Sequence, residues 1–79
     1  MTNGELVRTR IRELMEENGM TEYRLIQKSG MPSSTVKSIL SGKAADPRTG
    51  TIAFICRGLQ ISVKEFYNSD LFGDKMEIG

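Results

Sequence analysis

The chain has 79 residues, which suffice for one compact domain and are too few for two. A hydrophobic fraction of 38% with 27% charged residues is ordinary for a folded domain, so wholesale disorder is not expected. A single cysteine excludes an intrachain disulfide, and the absence of histidine excludes a Cys/His metal site. There is neither a signal-like N-terminus nor an apolar run of the roughly 20 residues that a membrane span needs, so a cytoplasmic protein is expected.

Short turn signals divide the chain into five pieces of helical length, and no piece shows the alternation of a β-strand. The first helix carries Val7, Ile11 and Leu14 at helical spacing and is expected to end at Gly19. Its arginines at positions 8, 10 and 12 are interpreted as a solvated face, which could also extend a basic surface. An all-α fold is predicted.

The second predicted helix is short and begins after a good N-cap residue, Thr21. Its apolar positions are Leu25 and Ile26, with Tyr23 beside them, and Gly30 closes it. A tight turn is therefore expected before the next helix.

The third predicted helix is capped by Ser33 or by the residue before it. It buries Val36 and Ile39 and ends at Gly42. Two short helices joined in this way cross steeply and present the polar face of the second helix, and a major groove about 12 Å wide accepts such a helix. The segment 21–42 is thus predicted to be a helix-turn-helix.

Two further helices close the predicted domain. The fourth has an inner stripe that includes Cys56, which is interpreted as an inert core thiol. Ser62 can cap the fifth. Residues 1–68 are expected to form the DNA-binding domain and residues 69–79 a C-terminal tail, partly ordered or dimer-associated. The C-terminal end carries six apolar residues, namely Phe66, Tyr67, Leu71, Phe72, Met76 and Ile78. They suggest a dimer surface, and coverage of the core is the alternative.

Charge is distributed unevenly along the chain. Residues 21–48 hold five basic and two acidic residues, a net charge of +3, which leaves −2 for the rest of a chain whose total is +1. This asymmetry is modest, and a solvated mixed-charge surface would account for it equally well.

With the helices placed in this way, the sequence resembles the phage repressor and Cro (XRE-type) helix-turn-helix family over residues 5–67. The matching positions are Thr21, Leu25, Gly30, Val36, Ile39, Gly42, Lys43, Pro47, Ile52, Ile55, Leu59, Ile61, Ser62 and Phe66. The resemblance implies a compact, five-helix, lambda-repressor-like domain. It also implies a small repressor-like transcriptional regulator that binds double-stranded DNA, with a palindromic operator and a homodimer expected.

Carried over by position, the resemblance assigns base reading to Ser33, Ser34, Lys37 and Ser38. Lysine can donate to guanine O6 and N7, whereas a serine hydroxyl donates or accepts with low stringency. Phosphate contacts are expected from Thr35, Lys43 and Arg48, with Arg24 and Lys28 near enough in sequence to assist.

Four positions depart from the pattern that the resemblance implies. Glu22 stands where the family commonly has a glutamine that touches the DNA backbone, and a carboxylate there repels phosphate unless it turns toward Arg24 or another cation. Ile26 replaces the usual alanine where the two motif helices cross. Met15 and Leu40 replace an Arg–Glu ion pair, so an apolar contact is expected between them.

Other functions have weaker support. Glu22 and the small serine side chains leave open a protein-interaction module, antitoxin-like or accessory, with weak or no DNA binding. An enzyme is not expected, because no histidine, exposed thiol or converging carboxylate pair is available for catalysis. Neither a cofactor, a metal nor a small-molecule substrate is therefore expected, and the predicted location is the cytoplasm, in association with the nucleoid.

Overall fold

The computed structural model describes residues 3–42 and 49–73. Five α-helices follow one another and a short 3₁₀ turn ends the described chain: α1 (Asn3–Glu17), α2 (Glu22–Ser29), α3 (Ser33–Ser41), α4 (Thr49–Leu59), α5 (Val63–Tyr67) and the turn Asp70–Phe72. These residues form no strand, which confirms the predicted all-α fold with five helices. None of their helices is both long enough and apolar enough to cross a membrane.

Two of the helix starts are capped by the side chains predicted to cap them. The Thr21 hydroxyl accepts a hydrogen bond from the backbone N–H of Arg24 at 3.2 Å. The Ser62 hydroxyl accepts from the N–H of Glu65 at 3.0 Å. Each bond satisfies an N–H group that the first turn of a helix leaves without an intrahelical partner.

The hydrophobic core receives side chains from all five helices and the 3₁₀ turn, and Ser29 is the buried polar residue of the described chain. The buried residues are Leu6, Val7, Ile11, Leu14, Met15, Leu25, Val36, Ile39, Leu40, Ile52, Ile55, Cys56, Leu59, Phe66 and Phe72. Met15 and Leu40 both belong to this cluster, in agreement with the apolar replacement of an ion pair. The inner positions predicted for α1, α3 and α4 are thus confirmed, as is Leu25 of α2, whereas Ile26 is only partly buried.

The described aromatic residues of the C-terminal region cover the core of their own protomer. Phe66 is fully buried, and its ring lies 5.1 Å from that of Tyr67 and 6.1 Å from that of Phe72. Tyr67 and Leu71 remain partly exposed. Met76 and Ile78, which belong to the same predicted dimer surface, lie outside the described residues.

Helix α4 packs most extensively against α2, and a glycine permits their close approach. A Cβ atom added at Gly58 would lie 3.0 Å from the backbone nitrogen and the Cβ of Ser29 and 3.0 Å from Cδ1 of Leu25. The sequence pattern gives no indication of this role for Gly58. The contact sets the position of α2 relative to the core.

The arginines of α1 do not form a uniformly solvated face, so that interpretation is wrong for Arg10. The Arg10 side chain is only 11% exposed and forms an ion pair with Glu13 at 3.3 Å. It also donates to the backbone carbonyls of Phe66 at 2.8 Å and Glu65 at 3.1 Å. Arg10 thereby ties α1 to the C-terminal end of α5, where a cation also interacts favourably with the helix dipole.

Candidate nucleic-acid interface

The turn between α2 and α3 forms without a side-chain cap on the second helix. Gly30 ends α2 with a left-handed backbone (φ 74°), and its N–H donates to the Ile26 carbonyl at 3.3 Å. Pro32 occupies the N-cap position of α3, and its carbonyl accepts from the N–H groups of Thr35 and Val36 at 3.1 and 3.3 Å. The cap is therefore the residue before Ser33, and the Ser33 hydroxyl is not consumed by capping.

Helix α3 has a buried face and a polar outer face. Val36, Ile39 and Leu40 point into the core. On the outer side, Ser33, Ser34 and Lys37 are exposed and Ser38 is half-buried. Because positions i, i+1, i+4 and i+5 share one side of a helix, these four predicted readers form a continuous surface.

The C-terminal end of α3 is held by α1. Arg12 Nη2 donates to the Leu40 carbonyl at 2.8 Å. Gly42 ends the helix with φ 89°, and a Cβ atom there would lie 2.6 Å from Nη1 of Arg8. Two guanidinium groups thus lie at the negative end of the α3 dipole, a favourable place for cations. These contacts fix the outer face of α3 relative to the core.

The residues predicted to contact phosphate are only partly covered by the described structure. Arg24 and Lys28 are exposed one turn apart on α2, and Thr35 is half-buried on α3. Lys43 and Arg48 lie outside the described residues. Within the described ranges, Arg24, Lys28 and Lys37 form no ion pair, so intramolecular carboxylates there do not neutralise them.

A groove runs between α2 and α3 beside the predicted reading face. It is lined by Glu22, Tyr23, Ile26, Ser33 and Lys37. The sequence suggested that Tyr23 lies beside the apolar positions of α2, but its side chain is 67% exposed. Its hydroxyl accepts a hydrogen bond from Nε2 of Gln27 at 3.1 Å. Glu22 forms no ion pair with Arg24 or with another cation of the described chain, so its carboxylate adds negative charge to the groove.

A second, acidic groove lies elsewhere on the domain, between the C-terminal half of α1 and residues 67–73. Its lining includes four carboxylates, those of Glu13, Glu16, Glu17 and Asp70. It shares no residue with the groove between α2 and α3. A phosphate backbone is repelled from such a surface. The charge distribution therefore favours approach of an anionic polymer from the side of α2 and α3.

The remaining chemistry of the described residues is limited. Cys56 is buried, and burial raises the pKa of its thiol, which keeps the reactive thiolate rare near neutral pH. No group of three His, Cys, Asp or Glu residues in the described ranges is arranged to hold a metal ion. A polar helix face with adjacent cations is thus the candidate functional feature.

Comparison with known proteins agrees with this geometry. A family model described as the Cro/C1-type HTH DNA-binding domain matches residues 10–69, a stretch that contains α2 to α5 in full. The curated proteins and the solved structures contain no match. The family match confirms the resemblance seen in the sequence, and DNA binding is the property that defines the matched domain. The chain belongs to the Cro/C1-type helix-turn-helix DNA-binding family.

Proposed function

We propose that this protein is a small transcriptional regulator that binds duplex DNA sequence-specifically by inserting α3 into the major groove. The outer face of α3 carries the proposal. It combines an exposed lysine without an ion pair in the described chain with a serine hydroxyl that is not used as a cap, on a helix anchored by its buried face. An exposed polar helix face of this kind matches the width and hydrogen-bonding character of the major groove.

In this proposal Ser33, Ser34, Lys37 and Ser38 read base edges. Lys37 supplies most of the direct selectivity, because its ammonium group can donate to both guanine O6 and N7. The serines accept several base edges, so the deformability of the DNA contributes to the choice of site.

Phosphate contacts set affinity and register in the same proposal. They are assigned to Thr35, Arg24 and Lys28 on the motif helices, and to Lys43 and Arg48 from the sequence alone. The exposure of Arg24 and Lys28 supports this assignment, since both guanidinium and ammonium groups can reach solvent.

We further propose a homodimer on a palindromic operator. Two-fold related helix-turn-helix units read half-sites about 34 Å apart, one turn of the duplex. The protomer is 35 Å long in its largest dimension, so two protomers side by side can span successive major grooves. Phe66 and Phe72 are buried within the protomer, so the contact is assigned to Tyr67 and Leu71, together with Met76 and Ile78 from the sequence alone.

The decisive experiment is selection of bound duplexes from a random DNA pool, followed by affinity measurements on the recovered duplex and on random DNA. A palindromic consensus is expected. The Lys37→Ala variant should lose about 1–3 kcal/mol of binding to the consensus and little to random DNA. Lys28→Ala is the matched comparison: it should weaken both by similar factors, as expected for a phosphate contact. An unchanged ratio in Lys37→Ala would contradict the base-reading assignment.

A protein-interaction module on the same fold is the second candidate. Glu22 at the start of α2 favours it, because its carboxylate forms no ion pair within residues 3–42 and 49–73. An NMR titration separates the two. Shifts in residues 33–42 on addition of duplex DNA support the DNA-binding proposal. Absence of such shifts, with shifts in α5 and the tail on addition of a protein partner, supports the interaction module.

A further inference from the structure

The groove between α2 and α3 contains an apolar surface beside the proposed base-reading residues. Tyr23 and Ile26 of α2 form its apolar part, whereas Ser33 and Lys37 of α3 form the opposite side. Its volume is about 360 Å³. An apolar depression in this place is unexpected for a surface that serves only phosphate contacts.

Tyr23 is the residue that makes this groove unusual. The exposed large hydrophobic residues of the described chain are Tyr23, Phe54 and Val63, and Tyr23 alone among them lines the groove. Its hydroxyl accepts a hydrogen bond from Gln27, one turn along α2. An exposed aromatic ring offers apolar contact area at little entropic cost, because only two χ angles have to be ordered.

The major groove of DNA offers one apolar group that such a surface can contact, the 5-methyl group of thymine. The groove is lined by one carboxylate and one ammonium group, those of Glu22 and Lys37, so its lining has no net positive charge to attract a phosphate, and a base edge is the favoured occupant. We propose that the groove receives the 5-methyl group of a thymine next to the base pair read by Lys37. This inference rests on the proposed function, because it requires α3 to lie in the major groove.

A methyl group can enter the groove without movement of a side chain. It is similar in size to a water molecule, which occupies about 30 Å³ in the liquid, whereas the groove has a volume of about 360 Å³. Removal of one buried methyl group costs about 0.8 kcal/mol, which corresponds to about a fourfold loss of affinity. Tyr23 is therefore assigned as a specificity-determining residue outside the recognition helix.

Methyl deletion in the DNA tests this proposal. Each thymine of the duplex recovered by selection is replaced in turn by deoxyuridine, which removes the methyl group alone, and the Kd is measured by fluorescence anisotropy. In the wild-type protein, one thymine per half-site should show about a fourfold loss. A high-affinity duplex in which no thymine methyl group affects binding overturns the proposal.

Variants of the protein assign the effect to the groove. In Tyr23→Ala the ratio of affinities for thymine and deoxyuridine should fall toward one, whereas Tyr23→Phe, which keeps the ring, should retain the ratio. Phe54→Ala is the matched control, since Phe54 is an exposed aromatic residue on α4 that does not line the groove, and it should keep the wild-type ratio. A thymine effect that persists undiminished in Tyr23→Ala places the methyl group elsewhere and overturns the assignment.

Two further outcomes are distinguishable. A duplex with a 5-methylcytosine–guanine pair at the sensitive position is compared with the duplex that has the thymine–adenine pair there. If the protein binds the 5-methylcytosine duplex more tightly, the groove recognises methylated cytosine and the thymine assignment is overturned. If no duplex is selected and the wild-type protein binds DNA without preference, the proposed function itself fails, and this inference fails with it.

Discussion

At the scale of single residues, Gln60 adopts a left-handed backbone conformation that is unfavourable for a residue with a side chain. Gln60 is the described non-glycine residue with positive φ, at 62°, and it follows the end of α4. The N–H of Ile61 donates to the backbone carbonyl of Cys56 at 3.0 Å, and the N–H of Gln60 donates to the backbone carbonyl of Arg57 at 3.1 Å. This is the Schellman arrangement, in which glycine normally takes the left-handed position.

We expect Gln60→Gly to increase the free energy of unfolding by about 0.5–1 kcal/mol. The left-handed conformation costs a side-chain-bearing residue about 1–2 kcal/mol, and the greater freedom of glycine in the unfolded chain offsets part of the gain. Urea denaturation followed by circular dichroism measures the change. Gly19→Ala is the reverse control: Gly19 has φ 59° at the end of α1, so alanine there should destabilise. Lower stability for Gln60→Gly would contradict the argument.

The cap of α3 is also a matter of single residues. Serine is normally a better N-cap than proline, yet Pro32 takes the position and leaves Ser33 on the outer face. Helix α3 thus lacks a side-chain cap at its start but retains a hydroxyl for contact with another molecule.

At the scale of elements, the packing of α2 on α4 depends on Gly58. Alanine in a helix interior is favoured over glycine by about 1 kcal/mol, but its Cβ would lie 3.0 Å from the backbone nitrogen of Ser29. Ser29 is itself buried, and its hydroxyl accepts from the N–H of Met31. The backbone there cannot shift without disturbing the turn between α2 and α3.

We therefore expect Gly58→Ala to destabilise the domain by about 1–3 kcal/mol, the usual cost of overpacking, despite its higher helix propensity. Gly50→Ala is the matched control on the same helix, because a Cβ there meets no atom within 4 Å. It should be neutral or slightly stabilising. Thermal unfolding compares the two variants, and equal stability for both would show that α2 and α4 can separate at little cost.

The position of α3 depends on three neighbours of different kinds. Its inner face rests on the core, its start follows the turn at Gly30, and its end is bound by Arg12. A displacement of α2 or α1 is therefore transmitted to the proposed reading face.

At the scale of the whole molecule, charge is separated between two surfaces. The motif helices carry Arg24, Lys28 and Lys37 without ion pairs in the described chain, whereas the groove beside α1 is lined by carboxylates. A net charge of only +1 for the chain conceals this polarity. This separation of charge orients an approaching duplex toward α2 and α3, and the acidic surface does not attract DNA.

Salt dependence tests this polarity. Four cations are proposed to contact phosphates, namely Arg24, Lys28, Lys43 and Arg48, and each contact contributes about −0.9 to the slope of log K against log salt concentration. A slope of about −3 to −4 per protomer is expected, and Lys28→Ala should reduce it by about one. Affinity that does not change between low and high salt would contradict a phosphate-bound complex.

Much of this architecture follows from local patterns. The period of the apolar residues predicted the helices, and Thr21, Ser62, Gly30 and Gly42 marked their ends, because these signals depend only on neighbours within one or two turns. The helix-turn-helix and its family were recognisable for the same reason. The assignments of individual base and phosphate contacts, and the boundary at residue 68, stay predictions.

Contacts between distant residues were not accessible in this way. Arg10 and Arg12 look like solvated helix residues in the sequence, but they donate to carbonyls 56 and 28 residues away. Gly58 and the groove beside Tyr23 likewise depend on how helices cross. Local order along the chain thus determines which helices form and which faces are apolar. The distances and angles between those helices decide which polar groups are buried, where a ring stays exposed, and what the surface can bind, because these properties arise only when separate elements pack.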